Sequence, residues 1–154
     1  AGIYSWADDL ELPSFHLIPD LTGDAVKEVA VGGFRTSIGR FQVAIKDGAD
    51  RASTLVNLGW PSIWSDASFH VVGDLTNDGT SEVALLGMRT NGSYELNIKD
   101  GNPANGVYRS ESLGSDWAEK PKLKLIGDTD FDGTPTTLIY GKNQNGNSVF
   151  MLID

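Results

Sequence analysis

Apolar and polar residues alternate along most of this chain in short runs, each bounded by Gly, Asn, Asp, Ser or Thr. Phe41, Val43 and Ile45 alternate with Gln42, Ala44 and Lys46, and Tyr94, Leu96 and Ile98 alternate with Glu95, Asn97 and Lys99. Successive side chains of a strand point to opposite faces, so this period of two predicts strands with one face buried. Turn residues recurring at roughly ten-residue intervals extend the same reading to the whole chain, an all-β class.

The pattern also repeats on a longer scale. Phe15-His-Leu-Ile-Pro-Asp-Leu-Thr-Gly-Asp24, Phe69-His-Val-Val-Gly-Asp-Leu-Thr-Asn-Asp78 and Leu123-Lys-Leu-Ile-Gly-Asp-Thr-Asp-Phe-Asp132 align at an offset of 54 residues. Downstream, Lys46-Asp-Gly48 matches Lys99-Asp-Gly101, and Asn91-Gly92 matches Asn145-Gly146, so the period covers the entire unit. Repeat units fall at about 15–60, 69–114 and 123–154 of a single domain spanning 1–154.

Each unit predicts four strands. The first runs over about 15–19, 69–73 and 123–127, and the second over 28–34, 82–88 and 136–140. The alternating stretches supply the third, and 53–58 and 108–113 the fourth. In the last unit the fourth strand is lacking. Counting back by one period sets Ile3–Ser5 on Asn57–Gly59 and Trp6 on Trp60, so residues 1–6 are expected to act as a detached fourth strand, for this chain or a neighbour.

Four-stranded units of this length are the size of β-propeller blades, which close into rings of about four to eight. Three would leave apolar outer faces and open strand edges in water. A homodimer that exchanges strands between N- and C-termini and completes a six-bladed ring is therefore expected, with a fragment of a larger propeller as the alternative.

The formal net charge of −9 opposes a nucleic-acid backbone or an anionic membrane as partner. No run has the roughly 20 apolar residues of a membrane helix, and the N-terminus lacks the regions of a signal peptide, so an exported form would be a mature one. Without cysteine there is neither a disulfide nor a thiolate metal site.

Oxygen-bearing side chains cluster after each first strand: Asp20, Thr22, Asp24 and Glu28; Asp74, Thr76, Asp78 and Glu82; Asp128, Asp130, Asp132 and Thr136. Alternate residues of a tight loop aim side chains to one side, and about six to eight oxygens are what Ca²⁺ takes. The same residues can instead form Asx turns that cap backbone N–H groups without any metal. The second and third clusters fit calcium better than the first, where Ala25 stands in place of glycine.

Asp74-Leu-Thr-Asn-Asp-Gly-Thr-Ser-Glu82 and Asp128-Thr-Asp-Phe-Asp-Gly-Thr-Pro-Thr136 resemble the D-x-[DN]-x-D-G-x-x-[DE] loop of the FG-GAP/VCBS repeats of integrin α-like propellers. Thr76 at the third position, and Thr136 at the last, depart from it. The resemblance implies an extracellular, cell-surface or periplasmic module that binds a carbohydrate or a surface protein, with calcium stiffening its rim.

Other chemistry is sparse. His16 and His70 are repeat-equivalent and are expected in different blades rather than facing each other, with no triad partner beside them. Arg35 and Arg89 end equivalent strands and are candidates for binding an anionic ligand, against the plainer reading of solvated strand ends. Trp6, Trp60, Trp64 and Trp117 are read in or near the connections between units, where they suit either sugar stacking or packing between blades. With no phosphate cradle or metalloprotease motif, a non-catalytic binding or assembly module is expected, the alternative being a purely structural propeller.

Overall fold

A computed structural model describes residue 6, residues 8–102 and residues 106–153 of the chain. These residues form eleven strands and no helix. The first sheet has the order β1(Leu10–Ile18), β2(Glu28–Arg35), β3(Arg40–Lys46) and β4(Thr54–Gly59). A second repeats that order with β5(Trp64–Gly73), β6(Glu82–Arg89), β7(Tyr94–Lys99) and β8(Val107–Gly114). The third comprises β9(Lys122–Gly127), β10(Thr136–Lys142) and β11(Ser148–Ile153), with β10 in the middle. All neighbouring strands are antiparallel.

The sheets pack face to face through two apolar layers. In the first layer Val43, Ile45 and Leu58 meet Phe69, Val83 and Leu85. In the second Leu86, Leu96 and Ile98 meet Ile139 and Ile153. Leu85 and Leu86 are neighbours in sequence, are both fully buried, and enter opposite layers. This is why β6 reads as a continuous apolar run rather than an alternating one. Each such burial contributes about 1.5–3 kcal/mol.

Close approach of the first two sheets depends on Gly32, because any Cβ there would collide with the ring of Phe69. That ring lies 5.4 Å from Trp60 and 6.0 Å from Phe41, both by centroid. Strands β1, β5 and β9 run side by side, with β5 in contact with β1 and with β9.

Two expectations change. First, β1 and β5 start well before residues 15 and 69, because each continues beyond a bulge, between Glu11 and Ser14 and between Ser65 and Ser68. Trp64 therefore sits in a strand, paired with Arg89, rather than in a connection. Trp117 occupies the same place in the third sheet, where the extension is reduced to a bridge with Asn143. Pro13 is accommodated because β1 is an edge strand and bulged there.

Second, residues 1–5 of the expected N-terminal strand lie outside the described residues, and Trp6 belongs to no strand. Its ring instead lies beneath Lys46, whose Nζ is 5.8 Å from the ring centroid.

Candidate metal centre

The three acidic loops share one hydrogen-bond plan. The leading carboxylate accepts the backbone N–H five residues on: Ala25 to Asp20 at 2.7 Å, Gly79 to Asp74 at 2.8 Å, and Gly133 to Asp128 at 3.0 Å. The third carboxylate position accepts the N–H two residues on, from Val26 to Asp24, Thr80 to Asp78 and Thr134 to Asp132, each at 2.8 Å. Positive φ angles recur at matching places, at Gly23 and Ala25, Asn77 and Gly79, and Phe131 and Gly133. One folded loop has thus been built three times from different residues.

The ninth position has a role that spacing does not reveal. Glu28 and Glu82 are fully buried at the start of β2 and β6, and Thr136 is buried at the start of β10. Each accepts the N–H of the residue after the leading Asp: Leu21 to Glu28 at 2.9 Å, Leu75 to Glu82, and Thr129 to Thr136 at 3.4 Å. Glu28 also accepts from Gly48 N–H at 3.0 Å, which ties the loop to the Lys-Asp-Gly turn. A hydroxyl can fill this accepting role, so Thr136 preserves the loop although it is no acid.

Electrostatics separate these groups. Burial pushes the Glu82 carboxyl up to about 7, against the Leu75 N–H and the Thr76 hydroxyl that hold it down, and the Asp100 and Asp74 charges push it further up. Asp20 is held below its ordinary value by the N–H of Ala25, then by those of Gly23 and Thr22. Hydroxyl and N–H of Thr80 do the same for Asp78, and those of Thr134 for Asp132. These three carboxylates carry full negative charge at neutral pH.

In the second loop, oxygens of Asp74, Asp78 and Glu82 lie within 4.8 Å of one another, as do those of Asp128, Asp130 and Asp132 in the third. Thr76 leans into the second group, its hydroxyl 3.5 Å from Asp74 and 3.2 Å from Glu82. The first loop gathers no such set among the described residues, since Glu28 is turned to Leu21 and Gly48. Converging oxygens with no nitrogen or sulfur form a donor set that could hold a hard cation.

Compared with family models, curated proteins and solved structures, the chain matches none. The likeness to FG-GAP/VCBS repeats accordingly rests on the loop residues and the repeat alone.

The remaining candidates are distributed differently. Trp60, Trp64 and Trp117 are buried between sheets, with the Trp60 indole N–H bonded to Asn97 at 2.8 Å and that of Trp117 to the Leu113 carbonyl at 2.8 Å. Their faces are occupied by packing, which leaves only Trp6 partly open. Arg35 is paired with Asp9 at 2.6 Å and donates to Gln42, while Arg89 is paired with Glu95 at 2.6 Å and stacks on Trp64. The two arginines therefore pin strand ends to their neighbours.

His16 and His70 lie in different sheets, as expected, yet close enough for their charges to interact, because β1 runs beside β5. Burial, then the His16 and Lys120 charges, push His70 down to about 4, and Ser68 Oγ lies 3.0 Å from its Nε2. Sequence spacing puts the pair one period apart and gives no sign of this proximity.

Proposed function

We propose that this chain is a non-catalytic, exported module of the propeller type, in which each four-stranded sheet is a blade and the acidic loops form a calcium-stiffened rim. The observation that carries the reading is the threefold recurrence of one loop geometry at the same end of three stacked sheets. Repetition of equivalent groups suits repeated structural sites, whereas catalysis asks for one asymmetric centre. The stacking of β1, β5 and β9 beside one another supports the blade arrangement, with these as the strands nearest the axis.

Asp74, Asp78, Glu82 and Thr76 would hold one ion, and Asp128, Asp130 and Asp132 another; the first loop works as a metal-free Asx turn. A bound Ca²⁺ would supply charge neutralisation and rigidity, and the ion-free protein is destabilised in proportion. Burial of three of the four tryptophans favours a protein rather than a sugar as the partner of this module. Silence on a broad glycan array is the expected result.

Calorimetric titration with Ca²⁺ tests the metal reading directly. Two sites are expected, with a melting temperature that falls on chelation. Asp130→Asn should abolish one site and leave the other, because Asp130 belongs to the oxygen group of the third loop and not to that of the second. A flat titration at millimolar calcium, with no change in melting temperature, would overturn it.

A further inference from the structure

The two layers between sheets have a rule: a large apolar residue of one sheet's first strand, Phe69 of β5 or Leu123 of β9, seats on the rear face of the sheet before it, the face turned toward the next sheet. On that rear face a corner is formed by paired residues of the second and third strands, Gly32 with Val43 and Phe34 with Phe41 in the first sheet. In the second sheet Leu86 pairs with Leu96 and Met88 with Tyr94, and in the third Tyr140 pairs with Phe150 and Lys142 with Ser148. Val43 and Leu96 are buried in their layers, but Phe150 is 74% exposed and its neighbour Leu152 54% exposed. At the opposite end of the stack, Phe15 holds the place of Phe69 on β1 and is 62% exposed, whereas Phe69 is 4% exposed.

We infer that the rear face of the third sheet docks on the front face of the first sheet in a second copy of this chain, continuing the layers already present inside it. The inference rests on the propeller reading above, of which it names the partner. Bulk at the corner supports it. The first sheet puts glycine on β2 and phenylalanine on β3, at Gly32 and Phe41; the third inverts this, with Tyr140 on β10 and Ser148 on β11. Either arrangement puts an aromatic ring at the corner to meet an incoming first-strand phenylalanine, as Phe41 lies beside Phe69.

Trp6 is the second, independent indication. Following β4, Trp60 lies on the front of the second sheet under Lys99, whose Nζ is 5.2 Å from its centroid. Lys46 is the counterpart of Lys99, and Trp6 lies under it in the same manner on the front of the first sheet, over a cavity of about 180 Å³ lined in part by Leu10, Val31 and Ala44. Trp6 thus stands where the tail of a preceding sheet's fourth strand belongs. A third sheet docking there is a sheet with three strands among the described residues. Such a contact is heterologous, and two copies satisfy both of their end faces at once.

Light scattering on the whole chain, with and without chelator, tests this. A mass near twice 16.5 kDa is expected. Phe15→Glu and Phe150→Glu, both at exposed positions and folded by circular dichroism, should each give monomers, since every junction then carries one altered face. Mixing the two variants should restore dimers, because one junction of the mixed pair is unaltered. A wild-type monomer at every concentration, or a dimer indifferent to both substitutions, would overturn the inference. A monomer that still binds calcium leaves the rim reading standing, and a dimer indifferent to chelator leaves the docking standing without it.

Discussion

Leu96 of the middle sheet and Phe150 of the third hold equivalent positions on equivalent strands, and so do Phe69 of the middle sheet and Phe15 of the first. Sequence treats each pair alike, as large apolar residues in phase with their strand. Structure does not: the middle sheet is covered on both sides, while β9 and β11 are mostly open on the side away from it. The difference teaches that in a stack of repeats burial is decided by the neighbour and not by the repeat itself. A position can be apolar for a contact that its own chain does not make.

Truncation measures that difference most directly. Leu96→Ala removes a fully buried side chain from a packed layer and should cost about 2–5 kcal/mol in denaturant unfolding. Phe150→Ala, made at the matching exposed place, should change the stability of the isolated chain by less than about 0.5 kcal/mol. Equal losses would mean that the third sheet's outer face is already covered in the monomer. A cost for Phe150→Ala that appears only at high protein concentration would point to the second copy.

The histidine pair carries the comparison to β1 and β5, where the first and middle sheets meet. His70 lies low, at about 4, because burial disfavours its charged form and because His16 and Lys120 add like charge. An unfolded chain therefore binds a proton at a higher pH than the folded one does. The stability held by neutral His70 is full above the ordinary histidine value of 6.5 and is lost progressively as pH falls from there to about 4. The expected loss is about 3 kcal/mol. His70→Gln should flatten that acid limb in urea titrations at stepped pH, and an unchanged slope would place the titrating group elsewhere.

How far the chain was legible follows from where each signal lives. Strand identity and the three loops were carried by local pattern, since alternation and the Asp-x-x-x-Asp spacing are set by neighbours in sequence. The outer halves of β1 and β5 were missed because Pro13 and Asp66, at the two bulges, break the alternation that marks a strand. The Glu28 role was hidden for another reason: a ninth-position acid looks the same whether it ligates an ion or caps a backbone group. The meeting of His16 with His70 depends on the lateral packing of β1 and β5, which no spacing records.

Capping by Glu28 and Thr136 can be weighed one against the other. Glu28→Ala leaves two backbone N–H groups, of Leu21 and Gly48, without their acceptor, at about 1–3 kcal/mol for each that stays dry. Thr136→Val keeps the shape and removes only the weaker 3.4 Å contact from Thr129 and the paired hydroxyl, so a smaller loss is expected. If thermal unfolding finds the two equal, the Lys-Asp-Gly tie of the first loop is not a stabilising contact.

The smallest effect expected is also a gain. Ala25 has φ +67° where the other loops have Gly79 at +89° and Gly133 at +95°. An L-residue with a Cβ is strained there by about 1–2 kcal/mol, part of which glycine gives back through its freer unfolded chain. Ala25→Gly should therefore stabilise the protein by about 0.5–1 kcal/mol, and Gly79→Ala and Gly133→Ala should destabilise it by a similar amount or slightly more. The comparison has a further use in a calcium titration. If the capping contacts of Glu28 keep the first loop free of metal, Ala25→Gly raises the melting temperature and leaves the number of bound ions at the two proposed above. A third ion would instead mean that Glu28 gives up Leu21 and Gly48 for a cation once the backbone allows it.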